Sequence, residues 1–180
     1  MNSKKDPVPK PLSKDSILQA LRALSEEIPL SEPPPEILLM GGAAIVLLYG
    51  ARESTRDVDA ILPNPSFREA AKRVAGRLGL PPDWLNDGAK GYAHGRAPGD
   101  IVFQAPSLIV RSLAPQQLLA MKLCAWRDDL DISDARLLLS KIPGGRKAAW
   151  DAVRPFLVPG RELKSRYAFE ELWGSLHGNP

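Results

Sequence analysis

The sequence predicts an α/β fold of the α+β kind, a small sheet flanked by helices and followed by a helical C-terminal part. Short apolar runs broken by glycine and proline occupy Ile37 to Val110, whereas helical spacing takes over from Pro115. The chain has 180 residues, 44% of them hydrophobic, enough for one domain with a real core and a small helical appendage. The expected boundaries are a disordered tail at 1–12, a core at 13–112 and a helical region packed on it at 113–180.

The elements follow in order. Lys4, Lys5, Pro7, Pro9, Lys10 and Pro11 make a lead-in too polar and proline-rich to pack. Ser13 or Asp15 can cap a first helix, with Ile17, Leu21, Leu24 and Ile28 on its inner face. Pro33-Pro34-Pro35 closes that region, and Ile37 to Met40 reads as a short buried strand. The Gly41-Gly42 turn opens a helix through Tyr49. Asp57 to Leu62 alternates as a second strand, with Val58 and Ala60 on one face and both aspartates on the other. Asn64 caps the next helix with Pro65 at its first position, Phe67, Ala70, Ala71, Val74 and Leu78 face inward, and Gly79 stops it. Pro81 to Asp87 reads as a loop or short helix. Ile101–Phe103 and Leu108–Val110 are two short strands. Pro115 starts a helix to about Asp128, and further helices are expected near 134–141, 146–156 and 161–176.

Composition excludes several classes. No apolar run is long enough to cross a bilayer, and the lysines at the start precede no apolar stretch, so a secretory signal is not expected. A single cysteine, Cys124, excludes an internal disulfide and a cysteine zinc site, and two histidines, His94 and His177, argue against a histidine-based one. A cytoplasmic protein is expected. The formal charge of +3 suits an RNA or nucleotide partner, and equally a slightly basic solvated surface.

Chemistry concentrates in two places. Side chains two apart on a strand point the same way, so Asp57 and Asp59 project together and repel unless a cation sits between them. Such a pair, with free coordination positions, suits Mg²⁺ held by one or two carboxylates plus substrate phosphates. The glycine turn at Gly41 and Gly42 offers backbone N–H groups to those phosphates, and Arg52 and Arg56 flank the pair. The other reading of the acidic pair is a solvated strand face. Farther on, Pro115, Leu118, Leu119, Lys122, Leu123 and Trp126 share one helical stripe. Lys122 is the misfit there: it either snorkels to solvent or points its ammonium into a site. Asp131 and Asp134 read as carboxylates favoured at a helix start, and Arg127 can pair with Asp131 one turn on. Trp84, Trp126, Trp150 and Trp173 read as packing, and Cys124 as a small buried hydrophobe. His94 sits in a mobile loop.

The string from Gly41-Gly42 through Ala44, Leu47, Arg52, Thr55, Arg56, Asp57, Val58 and Asp59 resembles the nucleotidyltransferase fold in its minimal form. More narrowly it resembles the abortive-infection nucleotidyltransferase toxins and their small relatives. Trp84-Leu85-Asn86-Asp87 and the run Leu118 to Lys122, Arg127, Asp131 and Asp134 carry the same likeness, which covers roughly Ile37 to Leu139. The resemblance implies a small mixed sheet edged by helices, with the glycine turn and both aspartates over one end. It implies Mg²⁺ (or Mn²⁺) on Asp57 and Asp59, with Gly41 and Gly42 on the triphosphate. Thr55 and Arg56 then shape the loop beside the metal, and Lys122 meets the nucleotide phosphates; apart from the resemblance, Arg52 and Arg56, flanking the acidic pair, can both hold phosphate oxygens. Asp131 resembles an acid that positions or deprotonates the acceptor. Many relatives carry serine where this chain has Gly42, so that hydroxyl is lacking. The fold usually uses a third carboxylate; Asp100 is the candidate, equally readable as a turn residue after Gly99.

The implied activity is transfer of a nucleoside monophosphate from an NTP to an acceptor hydroxyl, releasing pyrophosphate. The toxin-like subgroup implies an RNA acceptor such as a tRNA end and a cognate antitoxin as partner, with no membrane involved. The basic tail and Arg146, Lys147, Arg154, Arg161, Lys164 and Arg166 suit RNA. Two alternatives stand beside it: a protein-modifying AMP transferase, as among minimal nucleotidyltransferase antitoxins, and a non-catalytic binding module of the same fold.

Overall fold

Alternation along one central strand divides the core in two. In β2 (Glu36–Leu39), Ile37 and Leu39 face one apolar cluster, while Leu38 and the following Met40 face another. The first cluster takes in α1 (Lys14–Glu27) and α3 (Ser66–Leu78). The second takes in α4 (Pro115–Ala125), α5 (Asp129–Leu139), α6 (Arg146–Val153) and α7 (Glu162–His177). The computed structural model describes residues 11–178. Most of the expected tail, with Lys4, Lys5 and Lys10, lies outside them. Among the described residues the fold is mixed α/β, with seven α-helices, a five-stranded sheet, a two-stranded sheet and a helical C-terminal part. No helix among them is long and apolar enough to cross a membrane.

The large sheet runs β5-β4-β2-β7-β6, where β4 is Val58–Ile61, β5 Leu85–Asn86, β6 Pro98–Ala105 and β7 Leu108–Leu113. β2 lies parallel to β7 and antiparallel to β4, and β4 lies parallel to β5. The register pairs Leu39 with Ala60 and Leu38 with Ile61. Val58 and Ala60 therefore join Leu39 over α1 and α3, and Asp59 turns to the opposite face, where the C-terminal helices pack. α2 (Gly41–Tyr49) is apolar on all sides because it contributes to both clusters.

Local signals account for most boundaries. Ser13 Oγ accepts the Ser16 N–H at the start of α1, and Asn64 Oδ1 accepts the Ser66 N–H before α3. Gly79 ends α3 at a φ of +66°. Three expectations need correction. Leu12 is no part of a tail: it is buried, and with Ser13 forms β1 (Leu12–Ser13), paired with β3 (Ser54–Thr55). The stretch at 81–87 contains the strand β5, too short to show a period. α5 begins at Asp129, five residues before the expected start at 134, because Trp126 adopts a left-handed φ of 38° and Asp128 then caps a new helix through the Asp131 N–H.

Trp84 shows how β5 is fastened. Its ring is fully buried and its Nε1–H donates to the Ala71 carbonyl of α3 at 2.9 Å. Trp84→Phe removes this second bond to the carbonyl and leaves space where the larger ring packed, and a loss of about 1–3 kcal/mol is expected, read as a lowered urea midpoint.

Candidate functional site

β2 passes into α2 at Gly41, whose φ of +63° disfavours a side chain. A Cβ at that position would also lie 3.1 Å from Asp59 Oδ2. Gly42 is bare for another reason: a Cβ there would come within 2.6 Å of Thr55 Oγ1 and 3.1 Å of an Arg52 guanidinium nitrogen. The Thr55 hydroxyl thus fills the corner in which a serine at 42 would need to stand.

Asp59 sits mid-strand in β4, half-buried, and Asp57 just before the strand begins. Their outer bonds differ. Asp57 Oδ2 accepts from Asn86 Nδ2 at 3.0 Å, and Asp59 Oδ1 accepts the Ala89 N–H at 3.2 Å. Burial, and next the neighbouring charge of Asp57, push the Asp59 carboxyl above its ordinary range. The Ala89 N–H and the cations Lys122 and Arg127 offset this only in part. The pair is thus a patch of incompletely balanced negative charge.

The facing wall comes from α4 and α5. Lys122 does not snorkel outward. Its side chain is 13% exposed, and its ammonium lies 2.8 Å from Asp131 Oδ1 and 2.7 Å from Asp134 Oδ2. Arg127 Nε reaches Asp131 Oδ2 at 3.0 Å. Arg52 grips Asp134 with two parallel bonds, Nε to Oδ1 at 2.9 Å and Nη2 to Oδ2. Arg52, Asp134, Lys122, Asp131 and Arg127 therefore form one chain of alternating charge. Burial raises the Asp131 pKa, but hydrogen bonds from Lys122 and Arg127 outweigh it and hold the carboxyl below its ordinary range.

A cleft of about 560 Å³ joins the two sides. Gly41, Gly42, Asp57, Asp59, Lys122 and Asp131 line it, with Arg52, Thr55, Arg56 and Arg127 around them. Nine of the ten site residues expected from the sequence thus meet in one place. Asp100 does not. It is exposed on β6, the far edge of the sheet, with β7 and β2 between it and β4. Among the described residues no group of three His, Cys, Asp or Glu side chains is placed to hold a metal. The expected third carboxylate is therefore not supplied by Asp100. Two other roles shift. The Arg52 fork is taken by Asp134, and Asp131, with both oxygens occupied by cations, is a poor proton acceptor. The sequence reading assigned no role to Asn86, Gly88 or Ala89, although Asn86 lay inside the Trp84–Asp87 string. No family, curated protein or solved structure matches this chain.

Two opposite pH effects follow. Asp59 has a raised folded pKa, so its stabilising share is present below its unfolded pKa and is lost as pH rises through the folded one. Ionised Asp59 then costs stability near neutrality, and Asp59→Asn is expected to raise the melting temperature in chelator at about pH 7, the gain shrinking toward about pH 4. A lower melting temperature in Asp59→Asn at neutral pH would contradict the charge balance described. Asp131 has a depressed pKa, so its contribution is present above its unfolded pKa and fades as pH falls through the folded one. Lys122→Met, which leaves Asp131 to Arg127 and Asp134 to Arg52 alone, is expected to cost about 1–3 kcal/mol at about pH 7 and less in acid, measured by urea unfolding.

Proposed function

We propose that this chain is a Mg²⁺-dependent nucleotidyltransferase that moves a nucleoside monophosphate from an NTP to an acceptor hydroxyl. The observation that carries the reading is the convergence of Asp57 and Asp59 beside the Gly41-Gly42 turn, across one cleft from Lys122. The donor set fits a hard divalent cation, Mg²⁺ or Mn²⁺: two carboxylates, one burdened by its neighbour's charge, with room for phosphate oxygens to complete the shell. When bound, that ion supplies charge neutralisation at the reacting phosphate.

The protein's own groups divide the remaining work. Gly41 and Gly42 present bare backbone at the start of α2, where N–H groups and the helix dipole favour phosphate. Lys122, tethered by two carboxylates, keeps a third N–H for the nucleotide. Asp131 orients Lys122 and Arg127, a different role from deprotonating the acceptor. Arg56 stands exposed at the rim, where it can meet phosphate without breaking an internal bridge.

An RNA acceptor, a tRNA end above all, is the finer part of the proposal. Its support is local. Arg127 is largely exposed beside the cleft, and Arg161 lies over the ring of Tyr92, which lines it. Arg146 and Arg166 pair with Glu170, and Lys147 pairs with Asp151, so the wider C-terminal region carries less free charge than its composition implies. A cytoplasmic toxin role with a cognate antitoxin rests on the sequence resemblance.

Labelled NTPs with Mg²⁺ and total RNA test the reading. Label is expected on RNA, and Asp57→Ala/Asp59→Ala is expected to lower the rate by about a thousandfold, since the ion's effect is worth several kcal/mol. Label on protein selects the AMP-transferase alternative. Neither label nor Mg²⁺-dependent NTP binding selects a binding module.

A further inference from the structure

The string Trp84-Leu85-Asn86-Asp87 lies beside the acidic strand, yet no task has fallen to its Asn86. The structure assigns one: we propose that Asn86 is the positioning residue that aims both Asp57 and Asp59 at the cation. This rests on the metal reading proposed above.

Asn86 stands beside Asp59 in the parallel register of β4 and β5. Its amide is not free to flip. Oδ1 accepts the Gly88 N–H at 2.7 Å, and a backbone N–H can only donate. Nδ2 then faces Asp57 and donates to its Oδ2 at 3.0 Å. Nδ2 also lies 3.4 Å from the Asp83 carbonyl, a second acceptor on the same side. One side chain therefore touches Asp57 directly and holds the turn that delivers the Ala89 N–H to Asp59 Oδ1.

The consequence is a matched pair of half-occupied carboxylates. Each gives one oxygen to this scaffold, Asp57 through Oδ2 and Asp59 through Oδ1. Among the described residues, no hydrogen bond engages Asp57 Oδ1 or Asp59 Oδ2. Fixing one oxygen of a carboxylate sets the direction of the other, which is how groups behind a ligand tune a metal site. The scaffold is itself braced. A Cβ at Gly88 would press on Asn86 Oδ1 at 2.9 Å, so that position stays bare. Trp84 pins β5 into the core, and Asp87 is held by Arg68 and Lys90.

Mn²⁺ binding, followed by electron paramagnetic resonance without nucleotide, separates positioning from stability. Asn86→Ser keeps a hydroxyl that can accept from the Gly88 N–H but is too short to reach Asp57. Asn86→Ala removes both contacts. We expect the Asn86 variants to bind Mn²⁺ about 10–100-fold more weakly while far-UV circular dichroism stays native. In the wild-type protein, the Asn86 side-chain amide resonances are expected to move when Mg²⁺ is added, a readout that needs no variant. Unchanged Mn²⁺ affinity in Asn86→Ser, or amide resonances indifferent to Mg²⁺, overturns the role of Asn86. Asp57→Asn/Asp59→Asn tells the two failures apart. If that variant binds Mn²⁺ as the wild type does, or if the wild type binds none even with NTP added, the metal reading itself falls and takes this inference with it.

Discussion

Two carboxylates share one half-buried cleft, and their repulsion is the constraint around which the rest of this fold is arranged. Alternation in β4 puts Val58 and Ala60 into the core, leaving Asp59 on the opposite face beside Asp57. Had both acids stood in open water, their mutual cost would be slight; partial burial makes it felt. The surrounding chain answers with directed dipoles from Asn86 and Ala89 and with cations held at a distance. None of these meets the acids as a direct ion pair, so the negative charge is moderated without being cancelled. That residue of charge is what a cation can use.

The cations are held back by a second set of acids. Lys122 and Arg52 are each nearer to Asp134 than to the paired aspartates, and Arg127 is bound to Asp131. A buried pair of charges is weak support for stability, because desolvation offsets the attraction. Its value here is geometric. Arg52 follows α2, Lys122 rides on α4, and Asp131 and Asp134 ride on α5, so the chain of charges fixes the glycine-turn region against the C-terminal helices. The cleft lies on that seam. The apolar clusters on the sheet's two faces would hold the layers together without this network, but they would not fix the position of one ammonium to within a hydrogen bond.

Legibility in the sequence followed the range of the interactions. Asp57 and Asp59 were readable because strand period and spacing are local, and the Gly41-Gly42 turn because a bare backbone before an apolar helix has few other uses. Lys122 was readable only as a misfit, since a stripe says which residue breaks it and not where the ammonium goes. The grip of Arg52 on Asp134 joins residues 82 apart, and no local pattern encodes it. β5 was missed because two residues carry no period; what makes them a strand is Trp84, fastened to α3. Asp100 had the right chemistry before a strand and failed on topology, since β6 lies at the far edge of the sheet.

The internal pairing also bears on how an acceptor would be held. Net charge alone describes a weakly basic protein, and long-range attraction to a polyanion grows with charge that is free to displace counterions. Much of the C-terminal positive charge is already spoken for: Glu170 takes Arg146 and Arg166, and Asp151 takes Lys147. Arg161 and Lys164 turn inward to the carbonyls of Cys124 and Ala125 at the end of α4. Ala125 itself lines the cleft. A diffuse electrostatic grip on a long nucleic acid is therefore a poor use of this surface. Close contact with a short terminal segment, read at Arg127 and over Tyr92, makes better use of charges that stand where the chemistry would be.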